Sequence, residues 1–259
     1  MLHDKRLKLV QWKDLTKLSP FETFVENSLS IPWLLASWML AYYHYYLLAL
    51  PFSFVFFLTG LRQVHNGFHY TLGVSRKLTA LTLFFNSLLM LAAMDAIKYN
   101  HLRHHKHCLS DDDVEGKCAR MSAGKSLLYG PQFIYEQHVS ALLSGKRKVV
   151  IPVILEMAGI VITVTCVLIT KVDFLVYHII AMAIGELFTA FFAIWTVHHD
   201  CDEEEVARTL SNKWKNRFTY NMFYHLEHHL FPGVPTIKLP VLSKRIRQQL
   251  PDARPKEVF

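Results

Sequence analysis

Apolar residues along this chain gather into long uncharged runs rather than alternating stripes. Ile31–Leu50 and Pro51–Leu61 follow one another, Leu78–Ala93 is a third run, and a fourth extends from Val149 to Val197. A helix needs ~20 residues to cross a hydrocarbon core of ~30 Å. Ile31–Leu61 is too long for one span. It predicts a helical hairpin with Pro51 at the turn and a second arm running past Arg62 towards Tyr70. The fourth run predicts a second hairpin, Val149–Ile169 and Phe174–Val197, joined by the short turn Thr170-Lys171-Val172-Asp173. Glu156 and Glu186 interrupt these arms, and an ionisable residue inside a span faces protein or a cavity.

Leu78–Ile97 is also long enough to cross, but crossing would separate the histidines at 101–107 from those at 65–69. Asn86, Asp95 and Lys98 also suit lipid poorly, so the segment reads as a re-entrant or interfacial helix. The predicted fold is an all-α membrane protein with two transmembrane hairpins (four spans), this extra helix and a cytosolic helical cap. Residues 1–259 form one membrane domain. It divides into an N-terminal cytosolic or interfacial segment 1–30, hairpin 31–70, interfacial helix and cytosolic segment 78–148, hairpin 149–197 and cap 198–259.

Charge supports that arrangement. Of 28 Lys and Arg, only Lys171 would lie on the outer side, which places both termini in the cytosol by the positive-inside rule. Lys5, Arg6, Lys8, Lys13 and Lys17 open the chain with no apolar cleavable segment behind them, so no secretory signal is expected. The net charge of +7 flanks apolar spans and accompanies no nucleic-acid motif, which excludes nucleic acid as a partner. The apolar content of 52% and positive mean hydropathy suit a membrane protein. Cys108, Cys118, Cys166 and Cys201 include no Cys-x-x-Cys pair and read as reduced thiols, with Cys166 in the core. Cys108 and Cys201 sit near histidines, so metal ligation by them is weighed as a minor alternative.

The chain holds 15 histidines, and their spacing is the informative feature. "HNGFH" supplies His65 and His69, "HLRHH" supplies His101, His104 and His105, and "HLEHH" supplies His225, His228 and His229. "VHHD" adds His198 and His199 at the end of the last run. Spacings of three and four put such rings on one face of a helix. Under the predicted topology all these segments emerge on the cytosolic side. His3, His44, His107, His138 and His178 lack that pattern and read as ordinary structural or surface residues. Imidazole suits Zn, Cu, Fe and Ni, and a closed structural zinc site takes four ligands. Eight or nine rings are too many for one ion, whereas two ions with four or five ligands each account for them. Asp95, Asp111, Asp112, Asp113, Asp200 and Glu227 are candidate carboxylates to orient the rings through their second nitrogen.

His65-x3-His69, His101-x2-His104-His105 and His225-x2-His228-His229 resemble the three histidine boxes of the membrane fatty acid desaturase superfamily. That superfamily includes acyl desaturases, acyl and alkane hydroxylases, and carotenoid ketolases and hydroxylases. "HLEHHLFPGVP" is most similar to the third box of the acyl-lipid and acyl-CoA desaturase branch. The resemblance covers most of the chain and implies two non-haem iron ions that activate O2. It implies that His65, His69, His101 and His105 hold one iron. His104, His225, His229 and a ninth histidine, His198 or His199, then hold the other, with His228 close by.

The sequence departs from some relatives, which carry Asn four residues before the ninth histidine. Ile194 or Trp195 stands there, and Asn221 is the nearest polar substitute. No His-Pro-Gly-Gly haem-binding segment is present, and the third box opens on His225 rather than Gln, unlike front-end desaturases. The electron donor is therefore expected to be a separate ferredoxin-like protein with its reductase. Lys146-Arg147-Lys148 and Lys213, Lys215, Arg217 could attract it, though positive-inside bias also explains them.

The leading expectation is a fatty acyl desaturase acting on a lipid or acyl chain. The alternative is a hydroxylase or ketolase of a carotenoid, alkane or other lipid, and the remote one a non-catalytic zinc-binding membrane protein. Trp33, Trp38, Tyr42, Tyr43, Tyr45 and Tyr46 read either as an interfacial aromatic belt or as the substrate's way in.

Overall fold

A computed structural model describes residues 3–202 and 204–258. Every regular element among them is helical, apart from one isolated parallel bridge between Thr209 and Glu257. The chain opens with two short 3-10 turns and then α1, Pro20–Ser28. Its start is fixed by Ser19 and Glu22, which cap one another's backbone N–H groups, and by a proline in the first turn.

α2 (Ile31–Tyr42) and α3 (Tyr46–Phe68) form the first hairpin. The turn lies at Tyr43–Tyr45, where His44 adopts φ 61°, and not at Pro51 as the sequence predicts. Pro51 sits inside α3, early enough that its missing N–H interrupts only the second turn. α2 therefore has 12 residues, or about 18 Å of helix, short of the ~30 Å hydrocarbon core expected of the 31–50 segment. Hydroxyls join the hairpin to its neighbour in this apolar setting. Ser37 Oγ lies 2.7 Å from Ser53 Oγ, and Ser53 Oγ lies 2.9 Å from the Tyr177 hydroxyl.

The third apolar run is also broken. α4 (Arg76–Met90) ends at Leu91, which takes φ 64°, and α5 (Met94–His107) departs at 111°. The first N–H groups of a helix need outside acceptors, and α5 finds them on three other helices. Met94 donates to Ser87 Oγ (3.0 Å), Ala93 to His138 Nε2 (3.0 Å) and Asp95 to Glu156 Oε2 (2.9 Å). This explains why the apolar arm carries Glu156.

α6 (Ala123–Leu128) and α7 (Gly130–Leu143) lead to α8 (Arg147–Thr170) and α9 (Asp173–Leu187). The tight turn between α8 and α9 uses Lys171 at φ 53°. The tips of the two hairpins meet, with Tyr46 stacked on Tyr177 and Tyr42 edge-on to Phe174. α8 faces outward, exposing Ile151, Leu155, Val161, Ile162 and Ile169, and Cys166 is exposed with them rather than in the core. After α9 the helix bends by 45° through a π-helical segment, Ala190–Trp195, into the short α10, Thr196–His198. Among the described residues two helices, α3 and α8, are long and apolar enough to cross a membrane. The bent pairs α4–α5 and α9–α10 would raise that number to four.

The remaining chain forms α11 (Lys213–Phe218), α12 (His225–Leu230) and α13 (Leu239–Gln249). Val10 and Leu15 near the N-terminus pack against Leu239, Leu242 and Ile246 of α13, beside Tyr224 and Val234. A separate core of Phe56, Phe57, Val64, Phe68, Leu83, Met90, Met94 and Met182 holds α3, α4, α5 and α9 together. The histidine-bearing ends of α3, α5, α10 and α12 meet between these two cores.

Candidate metal centre

Each box reaches the centre through helix periodicity. His65 and His69 lie at the C-terminal end of α3, His101, His104 and His105 on one side of α5, and His225, His228 and His229 along the six-residue α12. The π-helical segment before α10 adds an extra residue to the turn and precedes His198, a feature common at functional sites.

Ligand atoms of His65, His69, His101, His105 and His228 lie within 4.8 Å of one another, and so do those of His104, Cys108, His198 and His229. Between neighbours the Nε2 atoms nearly touch. The separation is 3.0 Å for His69 and His101, 3.1 Å for His101 and His105, and 2.9 Å for His105 and His228. In the second group it is 3.1 Å for His104 and His198. His225 joins that group at 2.9 Å from His198 and 3.2 Å from His229. The groups adjoin where His105 stacks on His229 with ring centroids 4.3 Å apart.

The outer nitrogens decide what the inner ones can be. His198 Nδ1 faces the Val206 carbonyl at 2.7 Å, His104 Nδ1 faces Asp113 Oδ2 at 2.7 Å, and His101 Nδ1 faces Glu115 Oε1 at 2.8 Å. The Val206 carbonyl and the Asp113 carboxylate accept, so His198 and His104 donate from Nδ1 and, when neutral, turn a bare lone pair inward at Nε2. Lone pairs packed about 3 Å apart repel one another. A proton can relieve one such contact but not a group of five rings. His65 Nε2 is buried with no protein partner at all. This donor set fits metal ions, one at each group.

Burial and the neighbouring imidazoles hold His225, His228 and His229 well below the ordinary histidine range, which keeps them neutral and able to ligate. Burial pushes the Glu115 carboxyl up to about 8. Burial also pushes Asp113 up, but its hydrogen bond with His104 outweighs this and leaves it below its usual value.

His199 does not converge. It lies one residue beyond the helical ring of ligand atoms, stacks on Trp195 at 4.1 Å and turns Nδ1 to the Trp195 carbonyl, 2.9 Å away. His228, expected only nearby, belongs to the first group. Of the expected orienting carboxylates, Asp113 meets a ring. Glu227 instead accepts from Thr209 Oγ1 (2.7 Å) and Ser243 Oγ (2.6 Å) on the far side of α12. Asp95, Asp111 and Asp200 pair with Lys98, Arg120 and Arg208, and Asp112 is exposed. Glu115 was not foreseen, although it follows directly on the acidic run after the second box. Cys108 Sγ stands 3.8 Å from His104 Nε2, while Cys201 is absent from both groups.

A family model described as "Fatty acid desaturase" matches residues 36–258. The chain belongs to the fatty acid desaturase family. A comparison with curated proteins finds no match. Family membership makes the protein a lipid-metabolising oxidoreductase of membranes, in keeping with its outward apolar helices and its candidate metal groups.

A cavity of about 600 Å³ opens onto the first group. Phe54, Leu58, Leu61, Phe68, Met94, Ile97, Phe191, Phe192 and Met222 line it, with His65, His101, His225 and His228 among its walls. Phe54 and Phe192 are partly exposed and meet edge-to-face at 5.6 Å, at the outer surface of α3 and the π-helical segment. None of the six aromatic residues between Trp33 and Tyr46 lines this cavity. Trp33 and Trp38 pack against Phe52 and Phe174, and the four tyrosines gather at the hairpin tip.

Proposed function

We propose that this protein is an O2-dependent di-iron fatty acyl desaturase, which removes two hydrogens from the alkyl chain of a lipid. The observation that carries the reading is the apolar cavity with imidazoles in its wall. A cavity of this size and largely apolar lining suits an alkyl chain, and it brings that chain against the histidine layer.

His65, His69, His101, His105 and His228 would hold one iron, and His104, His198, His225 and His229 the other. When bound, the irons supply the oxidising power towards an unactivated C–H bond that no side-chain acid or base possesses. Asp113 and the Val206 carbonyl fix the orientation and tautomer of their rings, and Glu115 holds the His101 ring in place. Phe54, Leu58, Phe191 and Phe192 confine the chain and exclude water.

The hairpins α2–α3 and α8–α9 would insert in the membrane with α4–α5 re-entering beside them, in one domain whose cap begins at residue 198. The meeting of the hairpin tips at Tyr46 and Tyr177, at the opposite end of α3 from His65 and His69, supports a common outer end. Under this arrangement only Lys171 of the 28 Lys and Arg would fall at that end, which supports a cytosolic site and cytosolic termini. Electrons would come from an external ferredoxin-like donor and reductase, for which Lys213, Lys215 and Arg217 on α11 offer a basic face.

The test is product analysis of host lipids with and without the protein, together with metal content. Two irons per chain and a new double bond are expected. An oxygen atom retained in the product would make the enzyme a hydroxylase or ketolase, and zinc without turnover would end the reading.

A further inference from the structure

Each histidine group is assembled from pairs spaced i, i+4, which a helix carries on one face. The first group takes His65 and His69 from the end of α3, His101 and His105 from α5, and one single ring, His228. The second takes His225 and His229 from α12 and one single ring, His198, but α5 gives it a lone imidazole, His104. The residue four positions after His104 is Cys108. It caps the end of α5 as His69 caps the end of α3, one turn beyond its partner on the same face.

Cys108 Sγ lies 3.8 Å from His104 Nε2 and within 4.8 Å of the ligand atoms of His198 and His229. Atoms bound to one ion at imidazole and thiolate bond lengths of about 2.1 and 2.3 Å stand roughly 3.1 Å apart at right angles and roughly 4.4 Å apart when opposite. The distance to His104 falls inside that range. His104 and His198 are fully buried and turn lone pairs inward, so the sulfur faces atoms that call for a cation. A thiol proton can meet only one of them. The sulfur has no strong partner elsewhere. It reaches the Val206 carbonyl at 3.7 Å, and that carbonyl already accepts from His198 at 2.7 Å. The other thiols do not share this setting: Cys118 donates to the Ala190 carbonyl, Cys166 is exposed on α8, and Cys201 joins neither group.

We infer that Cys108 is the fifth ligand of the second metal ion, bound through its sulfur as a thiolate. This rests on the reading of the histidine layer as a two-metal centre. The thiol gives up its proton to solvent on binding. Each ion then has two i, i+4 pairs and one single ring, but the pair from the end of α5 carries a sulfur in place of a nitrogen. One anionic sulfur among neutral imidazoles lowers the net charge of the second site by one and makes it the softer of the two.

The experiment loads the whole metal-free chain with cobalt(II) in detergent. It reads metal content together with the near-ultraviolet charge-transfer band that a thiolate gives only when it is bound to cobalt. The native protein should take up two ions per chain and show the band at the strength of one thiolate per chain. Cys108→Ser should lose the band and Cys201→Ser should keep it. Cys108→His, which makes the α5 pair match the one on α3, should hold both ions with no band. Two ions without the band in the native protein would overturn the assignment, and that result needs no variant to fold. A band that survives Cys108→Ser would overturn it as well. Uptake of fewer than two ions by the native chain would defeat the two-metal reading itself, and this inference with it.

Discussion

Asp113 accepts from His104 Nδ1 at 2.7 Å, and the same carboxylate accepts the backbone N–H groups of Leu109 and Gly116. One side chain thus ties the loop after the second box to a ring of the second histidine group. Asp113→Asn keeps the shape and loses the charge. Iron retention against a chelator should weaken by roughly 10–100-fold, the usual loss when such a partner is removed. Retention equal to the native protein would show that the Asp113 charge does not support the ring.

His198 and His199 are adjacent, yet their rings lie in different places, the first among the other imidazoles and the second on Trp195. His198→Ala should remove iron from the second group and abolish turnover. His199→Ala should keep full iron content, because that ring stacks on Trp195 and bonds only to a carbonyl. Metal analysis of the two variants decides the matter, and equal loss in both would contradict the geometry.

Gly130 opens α7 directly against the Leu187 carbonyl at the end of α9, and a Cβ there would collide with backbone that has no rotamer to yield. Gly130→Ala should lower stability by about 1–3 kcal/mol, as overpacking does. Gly124→Ala, in α6 with open space around it, should be neutral or slightly stabilising. Thermal unfolding in detergent compares the two, and matching midpoints would deny the close approach.

Acid should destabilise the metal-free protein. Burial holds His225, His228 and His229 well below the ordinary value of 6.5, so the unfolded chain binds more protons than the folded one once pH falls beneath that value. Stability then rises with pH across this window and is lost on acidification. The unfolding midpoint of the iron-free protein should drop by several degrees between about pH 7.5 and 5.5. A flat profile would mean that these rings are hydrated.

The histidine layer was legible because i, i+3 and i+4 spacings translate directly into one face of a helix, and two separate His-x-x-His-His copies leave little room for accident. The choice between His198 and His199 was not legible. It depends on the π-helical segment at Ala190–Trp195, which adds a residue to the turn without a proline or glycine to announce it. The first hairpin turn was misplaced for a similar reason. Proline is a strong breaker in water, but a helix held by neighbours in an apolar setting absorbs it, and His44 turned the chain instead. The break at Leu91 carries no local signal either, since leucine rarely takes a positive φ and does so here where nearby Ser87 and the distant side chains His138 and Glu156 anchor α5. Glu115 was missed because its value as a partner depends on a loop folding back onto His101.

The anchoring of α5 by Ser87, His138 and Glu156 makes metal loading a readout of assembly. The helix that delivers three imidazoles has no fixed direction until three other helices have arrived around its first turn. A copy whose bundle has not closed cannot aim the second box, so a metal ion would find its full set of imidazoles only in a chain whose helices have come together.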